Sequence, residues 1–224
     1  MYSNIIVLFV LIFIYVSVRT FQKIKQNRGH SFPGIDNDFT IKNAVITHKI
    51  INKKEFSHTR AYTLTALRDG LSKYKDQFNW TGNKYEMSCT KLGQRYVELP
   101  RVDSYSGYEV FFGHVPQKND DVEVELFWKL HDDHLVSVPF VCKTIYEPTL
   151  KLKMVLEVSK GLDIKQVICQ ECFRNKCSIP IKTEIIDVPE SGIVVWEPPN
   201  PKLMYNYEMK WHSGLTHLKI CYTH

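Results

Sequence analysis

Four catalytic signatures are missing from this sequence. It has no G-x-x-x-x-G-K-[ST] loop to cradle a phosphate, no G-x-G-x-x-G dinucleotide turn, no G-x-S-x-G nucleophile elbow and no H-E-x-x-H pair for a catalytic zinc. No enzyme activity is therefore expected. Glycine and proline are scarce, ten of each in 224 residues, and no segment repeats another. This excludes collagen-like and low-complexity chains, and a composition with 44% hydrophobic and 24% charged residues excludes a disordered one. The first eighteen residues lack any charged side chain.

That charge-free start is a candidate membrane anchor. Residues 5–18 read IIVLFVLIFIYVSV, and the uncharged residues before them extend the stretch almost to the roughly 20 residues a spanning helix needs. A cleaved secretory signal fits less well, because no basic residue precedes the run and Val16-Ser17-Val18-Arg19 makes a poor cleavage site. Arg19, Lys23, Lys25 and Arg28 follow it, and Lys and Arg stay on the cytoplasmic side. The expected arrangement is residues 1–18 as a single transmembrane anchor with the N-terminus outside, 19–38 as a basic juxtamembrane linker, and 39–224 as a cytoplasmic β-rich domain. The charge distribution agrees with this, since residues 19–60 carry +6 and residues 61–224 carry −1. A basic flank next to a membrane suits anionic headgroups. With the folded part nearly neutral, no nucleic acid partner is expected.

The six cysteines and the sequon Asn79-Trp80-Thr81 would suit an exported, disulfide-bonded and glycosylated module. The flanking charges favour the cytoplasm instead, where thiols stay reduced.

Within the domain, the pattern is mostly strand. In residues 121–130, DVEVELFWKL, the side chains of Val122, Val124, Leu126 and Trp128 share one face and charged residues dominate the other. Segments 39–50, 105–113, 135–142, 150–158, 164–169, 179–188, 192–196 and 205–211 read similarly, separated by Pro, Gly, Asn and Asp clusters. One departure is 57–71, where Leu64, Leu67 and Leu71 fall at helical intervals after a possible Ser57 cap. The expected fold is mainly β: an antiparallel β-sandwich or eight-stranded barrel with one short helix, preceded by a single N-terminal transmembrane helix. The lack of helices between strands removes the doubly wound α/β class and its nucleotide site.

Three constellations invite chemistry. Cys169, Cys172 and Cys177 form a C-x2-C-x4-C group that could hold a structural zinc if a fourth ligand such as Cys142, His212, His217, Cys221 or His224 joined it; a redox thiol pair or plain reduced thiols are the alternatives. His131-Asp132-Asp133-His134 has the composition of a metal cluster, but fits a solvated hairpin loop better. The aromatic residues, twelve Tyr and twelve Phe, suit a core, and with basic groups nearby also suit a pocket for a small anionic ligand. Arg60, Arg68, Arg95 and Arg101 are the basic groups to examine, with His58 beside Arg60 expected at a helix start.

The function expected is a membrane-anchored ligand- or partner-binding domain, acting at the membrane and capable of self-association. Three alternatives remain. One is a nucleotide second-messenger sensor, by analogy of fold with membrane-tethered β-barrel effectors of bacterial defence systems; the others are the exported interaction module and a zinc-dependent enzyme.

Overall fold

The computed structural model describes residues 38–101, 105–174 and 179–212. The expected anchor, the linker up to residue 37 and Cys177 therefore lie outside the described residues. Thirteen strands and no helix occur among the described residues. They form three sheets of six, four and three strands.

The largest sheet grows from a hairpin of two long strands, β1 (Phe39–Ile50) and β2 (Glu55–Ala66). Asn52 closes its turn: the Asn52 carboxamide oxygen accepts the backbone N–H of Lys54 at 2.8 Å and of Glu55 at 2.9 Å. Adding β7 (Asp121–His131) and β4 (Lys84–Cys89) beyond β2, and β9 (Leu152–Val158) and β12 (Ile193–Trp196) beyond β1, gives the order β12-β9-β1-β2-β7-β4. The β1–β9 pair is parallel, so the expected purely antiparallel arrangement is corrected at that ladder. The second sheet runs β11 (Lys182–Asp187), β10 (Gln166–Phe173), β13 (Tyr205–Trp211), β8 (Phe140–Thr144), and the third β3 (Lys73–Phe78), β6 (Ser106–Phe111), β5 (Arg95–Glu98). Each sheet ends in two edges, and β1 and β13 belong to different sheets, so the barrel alternative is not what forms. Trp128, Leu126, Ile46, Leu156, Tyr207 and Met209, drawn from the two larger sheets, are buried in one core.

The expected helix over 57–71 is a strand. Every even residue of β2 is buried, from Phe56 through His58, Arg60, Tyr62, Leu64 and Ala66, and every odd one is half-buried. Two members of that inward row, His58 and Arg60, are polar, which hides the period of two from a hydrophobicity reading and leaves the leucines to suggest a helix. The threonines at 59, 63 and 65 are β-branched and suit the pleat.

The expected hairpin at His131-Asp132-Asp133-His134 is also corrected, because β7 and β8 lie in different sheets. Asp132 is buried and accepts the N–H groups of Val136 at 2.9 Å and Ser137 at 2.7 Å. These bonds fold the chain into a turn that delays the next strand until Phe140. Exposed Asp133 pairs with Asn83 at 3.0 Å, as a solvated turn residue does.

Candidate functional site

Where the three sheets meet, a charged cluster is buried. β2 of the six-stranded sheet contributes Arg60 and Tyr62, β3 and β6 of the three-stranded sheet contribute Asp76 and Tyr108, and β8 of the four-stranded sheet contributes Lys143. Each falls in the inward phase of its strand: Asp76 between Tyr74 and Phe78, and Lys143 beside Val141.

Asp76 is the common acceptor. Its Oδ2 receives Tyr62 Oη at 2.6 Å, Tyr108 Oη at 3.0 Å, Arg60 Nη1 at 3.0 Å and Lys143 Nζ at 3.0 Å. Its Oδ1 receives the Gln77 backbone N–H at 2.8 Å and Lys143 Nζ at 3.1 Å. Burial alone would raise the carboxyl's pKa, but the charges of Lys143 and Arg60 and the Tyr62 bond outweigh it and hold it well below the usual carboxylate range. Asp76 thus stays ionised and ties the sheets together.

Arg60 is held on every side but one. Its Nη1 also donates to the Gln77 carbonyl at 2.7 Å, and its Nε donates to His58 Nε2 at 3.1 Å. The guanidinium carbon stands 5.4 Å from the Phe78 ring centre and 5.6 Å from that of Trp128, a cation–π arrangement on both. Nη2 makes no hydrogen bond among the described residues. The Lys143 ammonium lies 5.0 Å from the Tyr62 ring centre.

Two buried histidines adjoin the cluster, and both stay neutral. Burial lowers the pKa of His48 to about 4. His58 is lowered well below its ordinary value by burial first and then by the charge of Arg60. A neutral His58 accepting at Nε2 must carry its proton on Nδ1, and this buried Nδ1 has no partner among the described residues. Nearby, burial pushes the Glu147 carboxyl up to about 7 despite the attraction of Lys143.

A cavity of about 40 Å³ opens onto these groups. Its floor includes buried His58, Arg60, Asp76 and Lys143, while half-buried Trp80, Tyr105 and Phe140 stand toward solvent. Two cations face one firmly ionised carboxylate, so the wall carries surplus positive charge. Such a cavity can hold a small anion or ordered water.

Of the arginines singled out from sequence, only Arg60 lines the cavity. Arg68 donates to Asp38 at 2.7 Å, Arg95 lies 4.2 Å from the Phe111 ring centre, and Arg101 is exposed. Asp76, Lys143 and His48 were not anticipated; the signal for them was a charged or polar residue in the apolar phase of a strand. Cys169 and Cys172 are both buried on β10, but three residues apart on a strand they point to opposite faces. Burial drives the Cys169 thiol up to about 12, and the Cys172 sulfur lies 3.7 Å from the Asn206 carbonyl. No group of three or more His, Cys, Asp or Glu among the described residues is arranged to hold a metal ion. The sequon's Asn79 lines the same cavity with its carboxamide oxygen buried and unpartnered among the described residues.

Fold and site together define a mainly β domain with a charged, partly open interior cavity. No protein-family model matches the chain, and no curated protein matches it. Among solved structures, it is similar to a Parabacteroides distasonis protein provisionally titled a protease, at 8% identity and a TM-score of 0.46, over 81% of this chain and 37% of that one. It is also similar to an M1 zinc metallopeptidase from Deinococcus radiodurans at 6% identity and a TM-score of 0.42, over 78% of this chain and 43% of that one. The chain spans less than half the length of either, and the likeness says nothing about the chemistry of the cavity.

Proposed function

We propose that this protein is a single-pass membrane protein whose β-rich cytoplasmic domain binds a small anionic ligand in the cavity between its sheets. The observation that carries this reading is the surplus positive charge of Arg60 and Lys143 over Asp76, facing a cavity instead of being fully paired. Unpaired buried charge is costly, and an anion that neutralises it is stabilised in turn by a low dielectric. Membrane attachment rests on the charge-free residues 1–18 and the basic residues that follow. A cavity of about 40 Å³ favours a small anion over a nucleotide, whose base and ribose would have to lie outside it.

The reading is tested with the full-length chain in detergent, by following its melting temperature across small carboxylates, phosphates and nucleotides. A ligand that binds only the folded state raises the midpoint, by an amount that grows with the logarithm of its concentration once that exceeds the dissociation constant. At least one class of anion should do so; a midpoint that moves with none of them contradicts the reading.

A further inference from the structure

The cavity's own hydrogen-bonding chemistry narrows the ligand, and this step rests on the anion-binding reading above. Three observations converge. The first is the His58 Nδ1–H. Arg60 can only donate, so its bond to His58 Nε2 fixes the proton on the other ring nitrogen; His58 is one of the residues lining the cavity, and this Nδ1–H is buried without an acceptor among the described residues. A buried donor left unpaired is destabilising, and an incoming oxygen removes that penalty.

The second is the charge. With Glu147 protonated, Arg60 and Lys143 exceed Asp76 by one positive charge, which a monoanion neutralises and a dianion would overshoot; ionisation of Glu147, whose pKa stands at about 7, removes that surplus. The third is room. A cavity of about 40 Å³ exceeds the roughly 10–15 Å³ that one water occupies, so it admits a small polar group. A carboxylate, with three heavy atoms and one charge, is smaller than a phosphate group, with five and two charges near neutral pH. Above the floor, the half-buried Trp80, Tyr105 and Phe140 offer apolar surface to whatever extends outward.

We propose that the cavity binds the carboxylate of a small monocarboxylic acid, with His58 Nδ1–H, Arg60 Nη2 and the Lys143 ammonium as its donors and an apolar tail against Trp80, Tyr105 and Phe140. Guanidinium and ammonium supply charge-assisted bonds, and the imidazole fixes the orientation of one oxygen. Asn79, whose carboxamide oxygen is also buried and unpartnered among the described residues, is an acceptor for a ligand that carries a hydroxyl beside its carboxylate.

The test uses the full-length chain in detergent at constant ionic strength, titrated with acetate, propionate, benzoate and lactate, with the matching primary amides and with inorganic phosphate. Binding is read by calorimetry and by melting temperature. The carboxylates should bind and the amides should not, with benzoate or propionate tighter than acetate. Lys143→Met should weaken benzoate at least tenfold, and His58→Phe should weaken it while keeping an aromatic ring against Phe78 and Trp128. Either variant that retains a cooperative melt serves, and should both fail to fold, the carboxylate–amide comparison on the unaltered protein decides alone. Equal binding of amide and acid, or unchanged affinity in a folded variant, overturns the proposal. Binding of phosphate without any carboxylate overturns it but leaves the anion-binding reading intact, whereas silence from every anion removes both.

Discussion

Asp76 is a single side chain on which several opposing charges and hydroxyls depend. Removing its charge with Asp76→Asn leaves Arg60 and Lys143 buried with no carboxylate, and loss of one partner of a buried ion pair costs about 3–5 kcal/mol. Denaturant unfolding of that variant should show a loss of this size. His48 offers a subtler effect. Its ring stacks on Phe56 at 5.8 Å and lies 5.4 Å from Trp211, and burial holds it neutral with a pKa of about 4 against 6.5 in an unfolded chain. A lowered pKa means the unfolded state binds the proton first, so this contribution is whole above pH 6.5 and is lost as pH falls toward 4. His58 acts in the same direction. Glu147 opposes them, because its folded pKa of about 7 exceeds 4.5 and the folded state takes up its proton first as pH falls below 7. Two histidines against one carboxyl leave stability rising with pH between about 4.5 and 6.5. His48→Phe keeps the stacking and removes one of the two protonations, so its stability should change much less over that range than the unaltered protein's, as denaturation at the two pH values will show.

At the scale of elements, β7 and β13, whose inward rows are wholly apolar, were legible, and so was β1 with neutral His48 in its inward row, whereas β2 and β3, which carry charges there, were not. β7 and β13 read directly, since Val122, Val124, Leu126 and Trp128 alternate without exception and 205–211 matches its strand end to end. β2 was hidden by His58 and Arg60, and β3 by Asp76, the residues that build the site. A charge inside an alternating row is a defect in a hydrophobicity pattern and a feature of a buried polar cluster, so the same residues obscured the fold and marked the cavity. Sheet membership was not legible either, because β7 and β8 follow one another in sequence while a turn built on Asp132 carries the chain to another sheet. One connection is pinned by backbone alone. Gly192, at a φ of +72°, places its carbonyl 2.7 Å from the Val158 N–H at the start of β12, and a Cβ there would collide with the Val158 oxygen. Gly192→Ala should therefore destabilise the protein by more than the ~1 kcal/mol of an ordinary left-handed glycine replacement, with the loss seen as a lower denaturant midpoint and an unchanged m-value.

For the whole molecule, three sheets share one ion cluster, so anything bound to it touches all of them at once. A ligand at about 100 times its dissociation constant adds about 2.7 kcal/mol to folding, and for a chain of this length each kcal/mol moves the midpoint by roughly 2–4 °C. The N-terminal charge pattern sets a second expectation at this scale. In sealed vesicles with the cytoplasmic face outward, added protease should digest the β-rich domain; a domain protected until detergent is added contradicts the proposed topology. The most direct measurement is the melting temperature of the full-length protein with saturating small anions, compared between the unaltered chain and Lys143→Met. The account predicts a rise of about 5–10 °C in the unaltered chain and little or none in the variant; no rise with any anion, or an equal rise in both proteins, contradicts it.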